Sequence, residues 1–223
     1  MIDKIYVSLC TIFSILVVLS NLVYQKFVVL NLWTYHTFEL SAGAILYPTA
    51  FLITDLITEF FDKQKAKFCV TLGICINIMV AFIILGVDLL PATSWSMIDT
   101  TTFHSIFAAY TWTFIGSTLA CYISQILDVM IYIKIRKTTD GKYVWLRSCL
   151  STGISLFIDT MIVMVFFMLF GVMPREQVLK VIMHSYMFKL LFVVLSMPAF
   201  CGAVYWIKWI IRNDKDKLSE IVA

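Results

Sequence analysis

Long apolar runs recur from one end of the 223-residue chain to the other, and they constrain the fold more than any other feature. A helix needs about 20 predominantly apolar residues to cross the hydrocarbon layer of a bilayer. Six runs meet this requirement: residues 5–26, 41–61, 67–87, 104–134, 147–172 and 178–210. Hydrophobic residues make up 61% of the chain, against about 45–50% in soluble domains. The sequence therefore predicts an all-α, polytopic membrane protein with six transmembrane helices in a single domain, residues 1–223.

Lysine and arginine residues predict the orientation, because cytoplasmic loops of membrane proteins carry an excess of them. Thirteen basic residues lie on one side, in the connections or at the run ends that border them: Lys4, Lys63, Lys65, Lys67, Lys134, Arg136, Lys137, Lys142, Arg147, Lys208, Arg212, Lys215 and Lys217. The opposite side holds three, Lys26, Arg175 and Lys180. We expect a multi-pass protein of the cell (inner) membrane with both termini cytoplasmic. Residues 27–39, rich in β-branched and aromatic side chains, are expected to run extended on the outer side.

Several classes of partner and chemistry find no support in the sequence. The formal net charge of +3 is too small to suggest a nucleic acid, and the six cysteines show no C-x-x-C spacing. His36, His104 and His184 are scattered and do not form a metal-ligand pattern. Nothing resembles a hydrolase motif or a phosphate-binding loop. We expect no metal, no cofactor and no catalytic residue, and the lipid bilayer is the expected surrounding.

Ionisable residues inside apolar runs are the candidates for function, because each costs about 2.5–3.5 kcal/mol at the bilayer centre. In the second run Pro48, Phe51 and Asp55 share one helix face, and Glu59 follows one turn later. Asp55 is either part of a binding site or a structural partner of another helix. Glu59 lies nearer the cytoplasmic end, where it is also placed to pair with Lys63 four residues on.

The first and fourth runs each contribute one pair of polar residues. Gln125 and Asp128 lie three residues apart in the fourth run, either as part of a site or as hydrogen-bonding contacts between helices. Asn21 and Gln25 lie four residues apart near the outer end of the first run.

The fifth and sixth runs contain a second aspartate and a lysine. Ser148, Thr152, Ser155 and Asp159 follow one another at offsets of four, three and four, so they form a polar stripe along one face. Lys189 is the one cation deep inside a run. It is expected either to form a salt bridge with Asp159 or Asp55, or to contact a ligand, or both.

These polar groups cannot face lipid cheaply, so they are expected to converge on a central cavity. Three aspartates, Asp55, Asp128 and Asp159, against one lysine leave an excess of acid. Either protons are bound, or the cavity takes a cationic ligand rich in hydrogen-bond donors. A small-molecule transporter with a polar site at the midplane fits this pattern better than a channel or a scaffold.

Four segments, taken in order, resemble the queuosine-precursor transporter family, also described as vitamin uptake transporters. They are YPTAFLITDLITEFFDKQKAK at 47–67, SQILDVMIYIKIR at 124–136, LRSCLSTGISLFIDT at 146–160 and HSYMFKLLFVVLSMP at 184–198. The resemblance extends over nearly the whole chain. One departure is Asp62, where many members have glycine, and we expect it to affect the geometry of a cytoplasmic turn.

The resemblance implies an importer of a 7-deazaguanine (preQ0, preQ1 or queuine) for tRNA queuosine synthesis or salvage. The residues that it places in the binding site are Asn21, Gln25, Asp55, Gln125, Asp128, Asp159 and Lys189. Tyr47 or Phe51 would stack on the ring. A deazaguanine edge offers N–H donors to a carboxylate and a carbonyl to an amide or ammonium group.

Two other functions and two features of assembly stay open from the sequence. The chain is alternatively the substrate-binding subunit of an uptake system energised by a separate ATPase, or a membrane-embedded enzyme. Spans one to three and four to six have opposite orientation, which is compatible with a 3+3 inverted repeat. A homodimer is also considered as a partner arrangement.

Overall fold

The structure is a computed structural model that describes residues 2–31, 37–108, 111–171 and 174–222. Within these ranges the elements are α1 (Ile2–Val23), β1 (Phe27–Asn31), β2 (Thr37–Ser41), α2 (Gly43–Asp88), α3 (Thr100–Phe103), a π-helical turn (His104–Ala108), α4 (Thr111–Thr138), α5 (Val144–Leu169) and α6 (Arg175–Val222). In this part of the chain five helices, α1, α2, α4, α5 and α6, are long and apolar enough to cross a membrane. The protein is therefore a mostly helical, multi-pass membrane protein.

Helix α2 is too long for one crossing. Its 46 residues would extend for about 69 Å as a straight helix, whereas the hydrocarbon layer is about 30 Å thick. The helical backbone is interrupted at Asp62, whose φ of 79° and ψ of 162° lie far from helical values. Two helical segments, residues 43–61 and 63–88, therefore meet at this residue, and we refer to them as the first and second halves of α2.

The first half of α2 runs antiparallel to α1. A Cβ atom on Gly43 would lie 3.2 Å from Tyr24, near the end of α1, so the two backbones are in close contact there. At the opposite end, the rings of Phe61 and Tyr6 have centroids 5.2 Å apart. The start of this half is thus beside the end of α1, and its end is beside the start of α1.

The second half of α2 returns along α1 in the parallel direction. The hydroxyl of Tyr6 donates a hydrogen bond to the carbonyl oxygen of Lys65 at 3.0 Å. Two turns further on, a Cβ on Gly73 would lie 2.6 Å from the ring of Phe13. Because both halves lie along α1 in opposite directions, the chain reverses at Asp62. The loop expected between residues 61 and 67 does not form, since the helix resumes directly after this one residue.

The connection after α1 corrects the all-α prediction. β1 and β2 form a two-stranded antiparallel sheet in which Val29 is opposite Glu39. The extended backbone was expected, but pairing into a hairpin was not, and residues 32–36, which include His36, lie outside the described residues. Lys180 of α6 holds the hairpin by donating a hydrogen bond to Glu39 at 2.7 Å. This hydrogen bond lowers the pKa of Glu39 below its ordinary value.

Helices α4, α5 and α6 pack as antiparallel neighbours. Gly116 of α4 lies against the ring of Phe166 near the end of α5, where a Cβ would be only 2.3 Å from the ring. The short turn between these helices includes Gly141 at a φ of 74°. The predicted fourth span began at residue 104, but the structure has a π-helical turn there, and α4 begins at Thr111. The first half of α2 contacts α1, α4, α5 and α6, so it is the central segment of the bundle.

Candidate functional site

A buried polar strip runs along α5 through the middle of the bundle. Ser148, Thr152, Ser155 and Asp159 are each at most 2% exposed. The first and last of these residues are eleven residues apart in sequence, which corresponds to roughly 16 Å of helix, or about half of the hydrocarbon layer. The strip faces the first half of α2 and α4, so it places the predicted polar residues of three helices together.

Two carboxyl groups meet beside the first part of this strip, and we call Asp55 and Asp128 the carboxyl pair. Both side chains are fully buried and close enough to interact directly. Ser148 donates a hydrogen bond to Asp55 Oδ2, and Thr152 donates another to the same atom at 3.2 Å. Within the described residues, Asp55 Oδ1 and both carboxyl oxygens of Asp128 have no hydrogen-bond partner. The pair therefore presents three buried acceptor atoms that remain to be satisfied.

An amide donor lies next to the carboxyl pair. Gln125 precedes Asp128 by three residues on α4 and is fully buried. The hydroxyl of Thr54 donates a hydrogen bond to Gln125 Oε1 at 2.8 Å, which holds the amide against α2. Its Nε2 has no partner among the residues that the structure describes. Acceptors and a donor are thus presented together in one buried region.

The second part of the strip borders a small cavity, which we call the lysine cavity. Lys189 donates hydrogen bonds to Asp159 Oδ2 at 2.9 Å and to Thr160 Oγ1 at 3.2 Å. The ring of Tyr47 lies beside the same ammonium group, with its centroid 5.2 Å from Nζ. This geometry confirms Asp159 as the salt-bridge partner, one of the two that were predicted. Among the described residues Asp55 has no lysine partner.

Further polar side chains from α1, β2, α4 and α6 complete the wall of the lysine cavity. They are Ser20, Asn21, Ser41, Ser117 and Ser185. Ser117 donates a hydrogen bond to Asn21 Oδ1 at 2.8 Å. In the described structure Asn21 Nδ2, Ser20 Oγ and Tyr47 Oη have no hydrogen-bond partner. The cavity thus combines an ion pair with several unused donors and acceptors.

The lysine cavity is smaller than a purine-like ligand requires. Its volume is about 50 Å³, whereas ligand pockets typically measure roughly 300–1,000 Å³. That volume suits a few water molecules. A ligand of two fused rings therefore needs the surrounding helices to move apart.

Ser124 and Ser155 connect the lysine cavity to the carboxyl pair. Ser124, the neighbour of Gln125 on α4, donates a weak hydrogen bond to Asp159 Oδ1 at 3.4 Å. Ser155 is on α5 between Thr152 and Asp159 and is completely buried. The two clusters are therefore parts of one polar strip rather than separate sites.

Ion pairs around Glu59 close the strip at the end of the bundle where Arg136, Arg147 and Lys208 lie, and we call this end the basic end. The ion pairs are referred to as the Glu59 network. Arg147, only 1% exposed, forms an ion pair with Glu59, and Tyr132 donates a hydrogen bond to Glu59 Oε2 at 3.1 Å. Arg136 and Lys208 lie at 3.8 Å and 3.9 Å from this carboxylate. The suggested pairing with Lys63 is therefore wrong. The sequence analysis counted Arg147 among the loop charges. Its burial could have been inferred from its position one residue before Ser148, the first residue of the polar stripe.

The predicted site residues fall into four locations. The carboxyl-pair region holds Asp55, Gln125 and Asp128, and the lysine cavity is lined by Asn21, Tyr47, Asp159 and Lys189. Phe51 is fully buried in the apolar core, with its ring centroid 5.7 Å from that of Tyr47. Gln25 is not in the strip, because it lines a neighbouring cavity between α1 and the second half of α2. Across the ranges that the structure describes, no group of three or more His, Cys, Asp or Glu side chains could hold a metal ion.

Comparisons with known proteins identify the family of the chain. The model of a family described as "Putative vitamin uptake transporter" matches residues 41–203, which include every predicted site residue except Asn21 and Gln25. A curated protein of Bacillus subtilis (strain 168), named "Probable queuosine precursor transporter", is 32% identical over 185 residues, which cover 82% of this chain and 78% of that protein. No solved structure matches the chain.

Proposed function

Because the chain belongs to the vitamin uptake transporter family, and is thus a membrane transporter rather than an enzyme, we propose that it imports a queuosine precursor. The proposed ligand is a 7-deazaguanine, used in tRNA queuosine synthesis or salvage. The proposed location is the cell inner membrane. The name of the Bacillus subtilis relative supports this substrate class, and the chemistry of the buried strip supports it independently.

The observation that carries the proposal is the set of buried hydrogen-bonding atoms left without partners. Such an atom costs about 1–3 kcal/mol when it stays unsatisfied, so a ligand that satisfies several of them gains affinity. A deazaguanine edge carries N1–H and an exocyclic amine, which match the free oxygens of Asp55 and Asp128. Its carbonyl accepts from an N–H donor, and Gln125 Nε2 is such a donor beside the same carboxylates.

The lysine cavity supplies the remaining contacts. Tyr47 borders it with an aromatic face on which a planar ring system can stack, and Phe51 supports Tyr47 from the core. Asp159 and Lys189 offer one acceptor and one donor close together, and Asn21 adds an amide at the outer end. We propose that the ligand enters from the hairpin side and lies along the strip. Gln25 is proposed to act in the neighbouring cavity near the entrance.

We also propose six crossings with both termini in the cytoplasm. The reversal at Asp62 supports this count, because each half of α2 has enough residues for one crossing. The reversal also brings Lys65 to the end of the bundle that holds Arg136 and Arg147. A single domain over residues 1–223, the 3+3 inverted repeat and a homodimer stay predictions.

Ligand binding to the purified protein tests the proposal. Thermal unfolding is measured in detergent with guanine, preQ0, preQ1 and queuine in separate samples. At a concentration of 100 times Kd, a ligand stabilises the folded state by about 2.7 kcal/mol, so at least one deazaguanine should raise the melting temperature by several degrees. Asp88→Asn, a change at the outer end of α2, serves as the control that should keep this response. If no deazaguanine stabilises the folded parent protein, the proposed substrate class is wrong.

Uptake by the purified chain alone separates a secondary importer from one subunit of an ATPase-energised system. The protein is reconstituted into liposomes without any other protein, and the entry of labelled deazaguanine is followed. Uptake under these conditions supports an independent importer. Binding without uptake, together with recovery of an ATPase during purification from cells, supports the alternative.

A further inference from the structure

The carboxyl pair lacks a positive charge to balance it, and we propose that it binds a proton that crosses the membrane with the transported molecule. The transport step of this inference rests on the proposed function, whereas the binding of the proton does not. Asp55 and Asp128 are both fully buried, and they lie on different helices, α2 and α4. A site between two helices is suited to coupling occupancy with helix movement.

The two buried cations of the part of the chain that the structure describes are already paired with other carboxylates. Lys189 of α6 is bound to Asp159 at 2.9 Å, and Arg147 of α5 is bound to Glu59. No described side chain therefore neutralises the carboxyl pair.

The other titratable groups around the pair bring no positive charge either. Tyr132 of α4 and Cys149 of α5 are close enough to Asp55 to sense its charge, and Glu59 follows it by one turn on α2. From α6, Cys201 lies beside Cys149. On α1 the charged residues Asp3 and Lys4 are in the first turn, at the basic end of the bundle.

One proton resolves the conflict between the two carboxylates. Two like charges in contact inside a low-dielectric interior repel, and sharing a proton turns that repulsion into a hydrogen bond. Ser148 and Thr152 already donate to Asp55 Oδ2, so Asp55 Oδ1 and the oxygens of Asp128 are the atoms available to the proton. The step adds one proton to a carboxylate oxygen from the outer side and releases it on the inner side, with no change of oxidation state.

The proton also explains how the strip can close around a neutral ligand. An occluded site that carried two uncompensated charges would have a high free energy in the membrane interior. With one proton the carboxyl pair keeps a single charge and still offers acceptors to N–H donors. A divalent metal is a poorer occupant, because no group of three acidic, histidine or cysteine side chains is present within the described ranges.

Infrared spectroscopy of the purified protein tests proton binding without any ligand. At pH 7 the parent should show the carbonyl-stretch band of a protonated carboxylic acid. The double variant Asp55→Asn, Asp128→Asn should lack this band. Asp140→Asn, which makes the same chemical change in an exposed turn, should keep it. A folded parent protein without the band at pH 7 overturns the proposal, and this outcome needs no variant to fold.

Transport in liposomes tests the coupling, with labelled preQ0 as a probe because it carries no ionised amine. The membrane potential is held at zero with potassium and valinomycin. One proton per molecule and an inward gradient of one pH unit should give about tenfold accumulation in the parent. With Asp128→Asn, the concentration of labelled preQ0 inside the liposomes should stay about equal to that outside.

The parent protein decides the outcome even if Asp128→Asn does not fold. The proposal is overturned if accumulation by the parent is independent of the pH gradient or is driven by a sodium gradient. Tenfold accumulation by Asp128→Asn also overturns it. If the parent protein neither binds nor transports any of the deazaguanines, the proposed function is contradicted. The infrared band then decides the proton site by itself.

Discussion

Replacing Lys189 with methionine should destabilise the protein strongly, because it leaves the Asp159 carboxylate buried and unpaired. The two side chains are 6% and 2% exposed, and their charged atoms are 2.9 Å apart. With an effective dielectric constant of about 20, unit charges at this distance attract by roughly 6 kcal/mol. Removing both charges from water costs several kcal/mol per ion, so the intact pair contributes little net stability.

Breaking the pair has a much larger effect than its net contribution. Loss of one partner of a buried ion pair typically costs about 3–5 kcal/mol. For a chain of this length, this corresponds to a fall of roughly 6–20 °C in melting temperature. Asp159→Asn should be destabilising for the same reason, since it leaves the Lys189 ammonium group without its carboxylate.

The assay is thermal unfolding of the two single variants, Asp159→Asn and Lys189→Met, and of the double variant. The double variant should recover most of the lost stability, because no unpaired buried charge remains. It should still fail to bind a deazaguanine if the pair contacts the ligand. Lys180→Met is the matched control, since its ion pair with Glu39 is similarly short, 2.7 Å, but exposed. Exposed pairs contribute little to stability because water screens them, so this variant should melt within a few degrees of the parent.

One result would refute the reasoning. If Lys189→Met and Lys180→Met melt at the same temperature, then the environment of Lys189 is wetter than the structure indicates. The ion pair would then have no special role in closing the strip.

Three further predictions concern single residues. Asp55→Asn should weaken deazaguanine binding roughly ten- to a hundredfold at unchanged stability, because a charge-assisted hydrogen bond of about 1.5–3 kcal/mol is lost; affinity and uptake within twofold of the parent would make Asp55 structural. Asp62→Gly should raise the melting temperature, because a residue in this backbone region other than glycine is strained by about 1–3 kcal/mol; an unchanged melting temperature would contradict the strain. Gly116→Ala should lower the melting temperature, since its Cβ would lie 2.3 Å from the ring of Phe166, whereas Gly86→Ala, with nothing within 4 Å, should keep or raise it; equal shifts would refute the packing argument.

The membrane architecture was predictable because its cause is local. Each apolar run is long enough to require a helix in lipid, and this requirement depends only on the residues in the run. The same argument identified Asp159 and Lys189 as ionisable residues that need partners. Lys189 is the one cation deep inside a run, so Asp159 and Asp55 were its two predicted salt-bridge partners. The structure pairs it with Asp159.

The Glu59 network could not be found in this way because its partners are distant in sequence. Arg147 is 88 residues from Glu59, whereas Lys63 is only one helical turn away. A rule based on i, i+4 pairs on one helix therefore favours Lys63 as the partner of Glu59. In the folded chain Arg147 is the partner, because it is buried and an unpaired charge in the interior is costly. Arg147 was thus counted among the basic residues that predict orientation, but it also closes the buried strip.

The reversal at Asp62 explains why one residue, rather than a loop, separates the two halves of α2. Residues 62–67, DKQKAK, are mostly good helix formers, so the backbone returns to helical geometry as soon as the direction has changed. The change of direction is made at a positive φ at this one residue, a value that glycine adopts most easily. Aspartate adopts it at a conformational cost, and its exposed position beside Lys63 lets its charge stay in water. The conformation at position 62 therefore follows from the need to return α2 along α1, and not from the preference of the residue that occupies it.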